Sequence, residues 1–369
     1  MKVLLAAGGS GGHIFPSVAL AGELEKAGVE EIFFVSSKRK LDKNILGGVR
    51  HKCFFLSVNP MPLSFRPVRI LKFVLKLFAD VIVSAGLIVK LRPDVVVGFG
   101  GYSSGAIVAV AKVFGVPVMI HEQNYFPGRA NRILSRIADR VAVSFKDSAE
   151  YFPRTRDKVV YSGNPLREGI LRGNKEEAFS RLGLDPGKFS VLIMGGSQGS
   201  SFLNGTASES ALRIKNSPGD AVQFIHLTGR NDYDRVKTFY EKNDIPGKVF
   251  HFLDRMEDAY AVCDLAVTRA GAAAVFELAY YAKPMILVPY PNPKNNQRSN
   301  AEYFSKAGAA IQLEEKDLTC DKLAGEILGL RADGRRRESI ARAAGELGAP
   351  EAGKCLAQEV IKLAGSRTA

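Results

Sequence analysis

The scarcest features narrow the reading first. Four cysteines, Cys53, Cys263, Cys320 and Cys355, are scattered through 369 residues without the paired spacing of a zinc site. That argues against a disulfide-stapled secreted scaffold and predicts reduced thiols in a cytoplasmic protein. Nowhere do about 18 uncharged apolar residues run together, as a spanning helix requires. The nearest stretch, Leu71 to Val89, is broken by Lys72, Lys76 and Asp80. The first apolar run stops at Gly8, too early for the core of a secretory signal. No low-complexity segment or short repeat interrupts the chain. No cofactor is expected, and a divalent metal requirement is left open.

Charge is plentiful and of one sign. Lys and Arg total 51 against 38 acidic residues, a net charge of +13. Such a balance favours a nucleic acid, an anionic membrane surface or a phosphorylated substrate, without choosing among them.

Two glycine-rich loops, Gly8-Gly9-Ser10-Gly11-Gly12-His13 and Gly195-Gly196-Ser197-Gln198-Gly199-Ser200, each follow an apolar run. The runs Val3–Ala7 and Val191–Met194 read as strands of parallel sheets covered on both faces. Glycine lets backbone approach a ligand, and the first N–H groups of the following helix suit a phosphate. Neither loop carries the Lys-Ser or Lys-Thr of a nucleoside triphosphatase, and neither keeps the dinucleotide fingerprint. Strand-like and helix-like stretches alternate throughout both halves, so the expected class is α/β, with two Rossmann-like, doubly wound parallel-sheet domains. The expected linker lies near residues 162–167, with the boundary drawn at 163/164, giving domains of 1–163 and 164–348. Pro16 is expected in the first turn of its helix, where a missing N–H costs nothing.

Several segments carry chemistry. Gly271 and the small residues Ala272, Ala273 and Ala274 leave a helix N-terminus open to a pyrophosphate, and Glu277 is a candidate clamp for ribose hydroxyls. Its alternative is an ordinary glutamate early in a helix. Asn295–Asn300 concentrates amides that match sugar hydroxyls, or forms a plain polar loop. Gly98–Gly105 and His121-Glu122-Gln123-Asn124 follow predicted parallel strands, so they and the first glycine loop are expected to line one cleft. His13, Glu122 and Asn124 are candidates for acid, base and orienting roles. Arg69, Leu71, Lys72, Phe73, Leu75, Lys76 and Phe78 form a basic amphipathic pattern, fitting either a membrane surface or a core helix with snorkelling lysines.

Taken in order, Gly8–Pro16, Gly98–Gly105, His121–Asn124, Gly163–Arg167, Gly195–Gly199, Arg269–Glu277 and Gln297–Ala301 resemble the MurG family of bacterial peptidoglycan synthesis. The resemblance implies the GT-B architecture, two domains facing across a cleft, with a C-terminal helix at about 349–369 returning to the first. It implies an inverting transferase that moves GlcNAc from UDP-GlcNAc to the 4-hydroxyl of MurNAc in lipid I, giving lipid II and UDP. The donor's phosphates would meet Arg167, Ser197, Gln198 and Gly199, with Gly271, Ala272 and Ala273 beside them. Uracil would be read near Leu253 and Met256, ribose by Glu277, and the sugar by Asn296 and Gln297, with Ser10, Gly11, Gly12 and Asn124 also near the donor.

The acceptor's diphosphate is expected near Ser10, Gly11, Gly12, His13, Gly101, Tyr102 and Ser103, with His13 as the base. The implied partners are UDP-GlcNAc, lipid I, the anionic cytoplasmic membrane surface and proteins of cell-wall synthesis, with no nucleic acid. The implied location is peripheral, on the cytoplasmic face of the cell membrane. Two departures concern the donor: Ala273-Ala274 stands where the family often has a hydroxyl, and Asn296-Gln297 where it often has Gln-Gln or His-Gln. The alternatives are another GT-B enzyme, such as a glycolipid transferase or a UDP-GlcNAc 2-epimerase, and a non-catalytic nucleotide-sugar or nucleic-acid binding module.

Overall fold

The computed structural model describes residues 1–57, 67–196, 198–217, 222–292 and 296–366, without the side chains of Pro67, Arg69, Tyr102 and Ser103. The chain divides into two compact units, Met1–Arg167 with Pro350–Ala369, and Glu168–Ala349.

The first unit runs β1 (Lys2–Ala6), α1 (Gly11–Lys26), β2 (Glu31–Ser37), α2 (Lys40–Leu46), β3 (Lys52–Leu56), α3 (Pro67–Leu91), β4 (Val95–Gly98), α4 (Tyr102–Val113), β5 (Val118–Glu122), α5 (Arg129–Leu134), β6 (Arg140–Val143) and β7 (Val159–Tyr161). All seven strands are parallel, in the order β3-β2-β1-β4-β5-β6-β7. Alternation explains their continuous apolar character. Val3, Leu5, Val95 and Val97 face one core with Leu20 and Leu24 of α1. Leu4, Ala6 and Val96 face another with Leu87 and Ile88 of α3 and Ile107 of α4. Both faces of the sheet are therefore dry, and no position can be polar without a partner.

The boundary falls at the end of the expected linker, and the place of Pro16 is corrected. Residues 164–167 belong to the first unit: His121 Nε2 lies 3.1 Å from Gly163 O, Ser144 Oγ donates to Asn164 Oδ1 at 3.3 Å, and Arg167 stacks on Phe15. Pro16 lies inside α1, because the helix already starts at Gly11. With no N–H on Pro16, the Gly12 carbonyl loses its i+4 donor near the glycine loop.

The second unit holds α6 (Lys175–Leu182), β8 (Phe189–Met194), α7 (Ser201–Lys215), β9 (Val222–Leu227), α8 (Tyr233–Lys242), β10 (Gly247–Phe250), α9 (Met256–Val262), β11 (Leu265–Thr268), α10 (Ala272–Tyr280), β12 (Met285–Leu287), α11 (Gln297–Lys306), β13 (Ile311–Gln312), α12 (Cys320–Ala332) and α13 (Gly334–Leu347). Its six parallel strands are ordered β10-β9-β8-β11-β12-β13. Val191, Ile193, Val267 and Ile286 join Leu203 of α7 and Leu323 of α12 in its core. The last helix, α14 (Ala352–Gly365), packs on α1 in the first unit, where Leu356 and Val360 are fully buried in its core.

Candidate functional site

In each unit the strand order reverses at one place, between β1 and β4 and between β8 and β11. Ligands of open α/β sheets bind beyond the carboxyl ends of the strands at such a switch point. The first glycine loop leaves β1 and the second leaves β8; the Gly100-Gly101 turn follows β4 and Gly271 follows β11.

In the first unit the loop is shaped by its neighbours. Ser10 is extended at the N-cap of α1, and its carbonyl accepts the N–H groups of His13 and Ile14 at 3.2 and 3.3 Å. His13 Nδ1 lies 3.1 Å from Gly8 O and 3.3 Å from Ser10 Oγ. A carbonyl only accepts, so Nδ1 carries the proton in neutral imidazole and Nε2 keeps its lone pair. Gly100 and Gly101 have φ of +89° and +76°. A β-carbon on Gly100 would stand 3.5 Å from His13 Nε2, and one on Gly101 would meet Gly8 O at 2.5 Å. Glycine at these positions lets the two turns touch. Ser104 Oγ ties them together, within 2.7 Å of both Ala6 O and Gly100 O.

The end of β5 is fully wired. Glu122 is buried. Its Oε1 accepts the backbone N–H and Nδ2 of Asn124 at 2.9 and 3.1 Å, and its Oε2 accepts Gly128 N and Asn131 Nδ2 at 3.0 and 2.8 Å. These four donors tie the side chain to the 124–131 loop, which it shapes. The preceding His121 is buried between Gly163 O and the Gln123 amide, and burial pushes its pKa down to about 4.

Arg167 lies 4.2 Å above the Phe15 ring. A β-carbon on Gly11 would come within 3.0 Å of that ring, so glycine makes room for it. Asp42, in the first turn of α2, carries no signal in the sequence, since one acidic residue in a short polar stretch gives no pattern; it is buried, and its Oδ2 accepts Gly9 N at 2.9 Å.

In the second unit Gly199 and Gly229, at φ of +76° and +74°, interlock; their β-carbons would strike Thr228 O at 2.0 Å and Gln198 O at 2.6 Å. Asn204 Nδ2 braces this junction through Thr228 O at 2.8 Å and Asp232 Oδ2 at 2.9 Å. Behind it His226 sits buried between Tyr240 and Asn204, and burial pushes its pKa down to about 3. Arg269 is also buried; it donates to Val288 O, Pro289 O and Ser200 Oγ and pairs with Glu315. Arg269 thus joins the ends of β11 and β12 to the second glycine loop.

Gly271 caps α10 with open space around it. Glu277, in the second turn, is buried rather than an exposed glutamate, and Tyr260 donates to its Oε2 at 2.6 Å. Gln297 opens α11 and its Oε1 accepts Tyr290 N at 3.0 Å, so the amide stretch from Gln297 to Asn300 is helical rather than a plain loop. Asn300 Nδ2 holds Ala270 O at 3.1 Å. Met256 starts α9, and Leu253 is half-buried just before it. Ser197, Asn295 and the side chains of Arg69, Tyr102 and Ser103 lie outside the described residues.

Helix α3 turns an apolar face outward: Leu71, Leu75 and Phe78 are 59%, 60% and 64% exposed. Lys72 and Lys76 are exposed beside them, whereas Phe73 is half-buried and leaves the expected exposed face. Among the described residues no helix is long and apolar enough to cross a membrane.

Comparison with known proteins agrees with this architecture. The glycosyltransferase family 28 N-terminal domain matches residues 3–143 and the corresponding C-terminal domain matches residues 190–356. A Halothermothrix orenii protein named UDP-N-acetylglucosamine–N-acetylmuramyl-(pentapeptide) pyrophosphoryl-undecaprenol N-acetylglucosamine transferase is 38% identical, covering 95% of each chain. A Myxococcus xanthus protein of the same name is 35% identical over 98% of this chain and 93% of its own. The chain belongs to the MurG family of glycosyltransferases. The crystal structure of Acinetobacter baumannii MurG superposes on this MurG-family chain with a TM-score of 0.76 at 23% identity, covering 98% of this chain and 100% of the other. A UDP-GlcNAc 2-epimerase from Neisseria meningitidis, bound to UDP-GlcNAc, gives 0.69 at 15% identity, covering 98% and 100%. The MurG-family chain thus has the GT-B fold of two Rossmann-like domains, which both structures share.

Proposed function

We propose that this chain is the inverting N-acetylglucosaminyltransferase of peptidoglycan synthesis, moving GlcNAc from UDP-GlcNAc to lipid I. The second unit takes the donor. Glu277, oriented by Tyr260, binds the ribose hydroxyls; the N–H groups beyond Gly271 and the loop through Gly199 face the diphosphate, together with Arg167. Asn296 and Gln297 read the sugar, and Leu253 and Met256 border the uracil. The first unit takes the acceptor, with its diphosphate near Ser10–His13 and Gly101. The exposed apolar face of α3, edged by Lys72 and Lys76, lies on an anionic bilayer.

One observation carries the chemical reading: the Gly8 carbonyl holds His13 in the tautomer whose Nε2 lone pair is available. In the reaction Nε2 takes the proton of the MurNAc 4-hydroxyl, whose oxygen bonds to the anomeric carbon. The bond from that carbon to the diphosphate breaks, and UDP departs with the electron pair. Glu122 and Asn124 position the loop beside the base.

UDP release from UDP-GlcNAc, with and without a short-chain lipid I analogue, tests this. The expected result is lipid-dependent release, reduced 10²- to 10⁴-fold in His13→Ala with UDP binding intact. Release without lipid points to an epimerase or hydrolase, and no release points to a binding module.

A further inference from the structure

The first glycine loop is a poorer anion site than its glycine content implies. Asp42 is fully buried in the first turn of α2. Its Oδ2 accepts Gly9 N at 2.9 Å, Ser36 Oγ at 3.1 Å, and Ser37 N and Oγ at 3.3 and 2.6 Å. No cation pairs with it among the described residues. The Gly9 N–H is therefore spent inside the protein, and a negative charge stands behind the loop. A phosphate at Ser10–His13 therefore needs a cation beside it.

The same turn supplies an opposing charge. Arg39 Nη1 donates to Gly9 O at 3.3 Å, while the side chain remains exposed. One donor of its fork is used, and no carboxylate pairs with it among the described residues. Lys38 and Lys40 flank it, both exposed. The turn is also tied towards α3: Lys38 N donates to Leu56 O at 3.1 Å, and the next residue, Ser57, donates its N–H to the buried Asp80 Oδ1 at 3.1 Å. The Lys38-Arg39-Lys40 turn thus touches the glycine loop on one side and is braced towards the buried side of α3 on the other. A diphosphate bound at the loop needs such a guanidinium beside it.

We propose that Arg39 is a direct ligand of the acceptor's diphosphate, held at the first glycine loop by its hydrogen bond to Gly9 O. The inference rests on the transferase reading above. Asp42 is the positioning residue that fixes Gly9 for this contact.

The test is steady-state UDP release by wild type, Arg39→Ala and Arg39→Lys, using the short-chain lipid I analogue in neutral detergent free of anionic lipid. Arg39→Ala is expected to raise the acceptor KM about tenfold, as loss of a charge-assisted hydrogen bond does. The KM for UDP-GlcNAc stays within about twofold, and Arg39→Lys recovers part of the loss as a point charge without the fork. An unchanged acceptor KM overturns the inference. So does a defect seen only in sedimentation with anionic vesicles, which assigns Arg39 to lipid headgroups, or an equal rise in both KM values, which makes Arg39 structural. Wild type without lipid-dependent release overturns the transferase reading and this inference together, whereas normal wild type beside an unaffected variant overturns the inference alone.

Discussion

The guanidinium of Arg167 rests 4.2 Å from the centre of the Phe15 ring, so the residue at which the chain leaves the first unit is stacked on the opening turns of α1. Such a contact is worth about 0.5–2 kcal/mol. It pre-sets an arginine proposed to meet the donor's diphosphate. Phe15→Leu is expected to raise the KM for UDP-GlcNAc about 2- to 10-fold and to add nothing in an Arg167→Ala background. A four-way kinetic comparison checks this; fully additive effects would sink the coupling.

Gly101 gives a sharper expectation. A methyl group there collides with Gly8 O at 2.5 Å, on backbone with φ of +76°. Gly101→Ala must push the β4–α4 turn away from His13, and acceptor turnover should fall at least 10²-fold. Calorimetric UDP binding, placed in the other unit, should not change. Wild-type turnover in this variant would show that the turn does not position the reacting groups.

Tyr260 donates to Glu277 Oε2 at 2.6 Å inside the second unit. Glu277→Ala is expected to weaken UDP binding by roughly 1.5–3 kcal/mol, the usual range for a hydrogen-bonding charged group. Tyr260→Phe keeps the ring and removes only the hydroxyl, and a smaller loss, several-fold in Kd, should follow. Titration calorimetry orders the two; equal or absent effects would count against Glu277 as the ribose ligand.

Acid should loosen both units. His121 and His226 are buried and their pKa values are pushed down to about 4 and about 3. Unfolded, each titrates near 6.5, so below that pH the unfolded chain binds protons that the fold refuses. Stability is full above about pH 6.5 and falls as pH drops through 4. For His121 the loss is roughly 3 kcal/mol by pH 4. Urea unfolding at several pH values measures the slope, and His121→Gln should flatten it for the first unit while lowering stability at pH 7. A variant as pH-sensitive as wild type would mean that His121 is not the group responsible.

The parts most legible in the sequence were those with period and punctuation. Val3–Ala7 and Val191–Met194, each ended by glycines, mark the central strands and the loops at both switch points. Of the four edge strands, β7 and β10 show as short apolar runs, whereas β3 and β13 carry mixed residues and are read as strands only through their partners. For Glu122 the sequence leaves acid, base and orienting roles open, because composition cannot reveal four converging donors. Asp42 and Arg39 gave no signal at all, since their role depends on a turn meeting a loop some thirty positions earlier. Pro16 does not mark the start of its helix, because the glycines before it already open α1.

The attachment of α14 to α1 sets an order for synthesis. The second unit is continuous from Glu168 to Ala349 and has every residue it needs before the last helix is translated. The first unit, although its sheet is made earlier, waits at the ribosome with the α1 side uncovered until Leu356, Ala357 and Val360 emerge. A nascent chain therefore exposes apolar surface during the whole translation of the second unit, a window in which chaperones or the membrane can act on it.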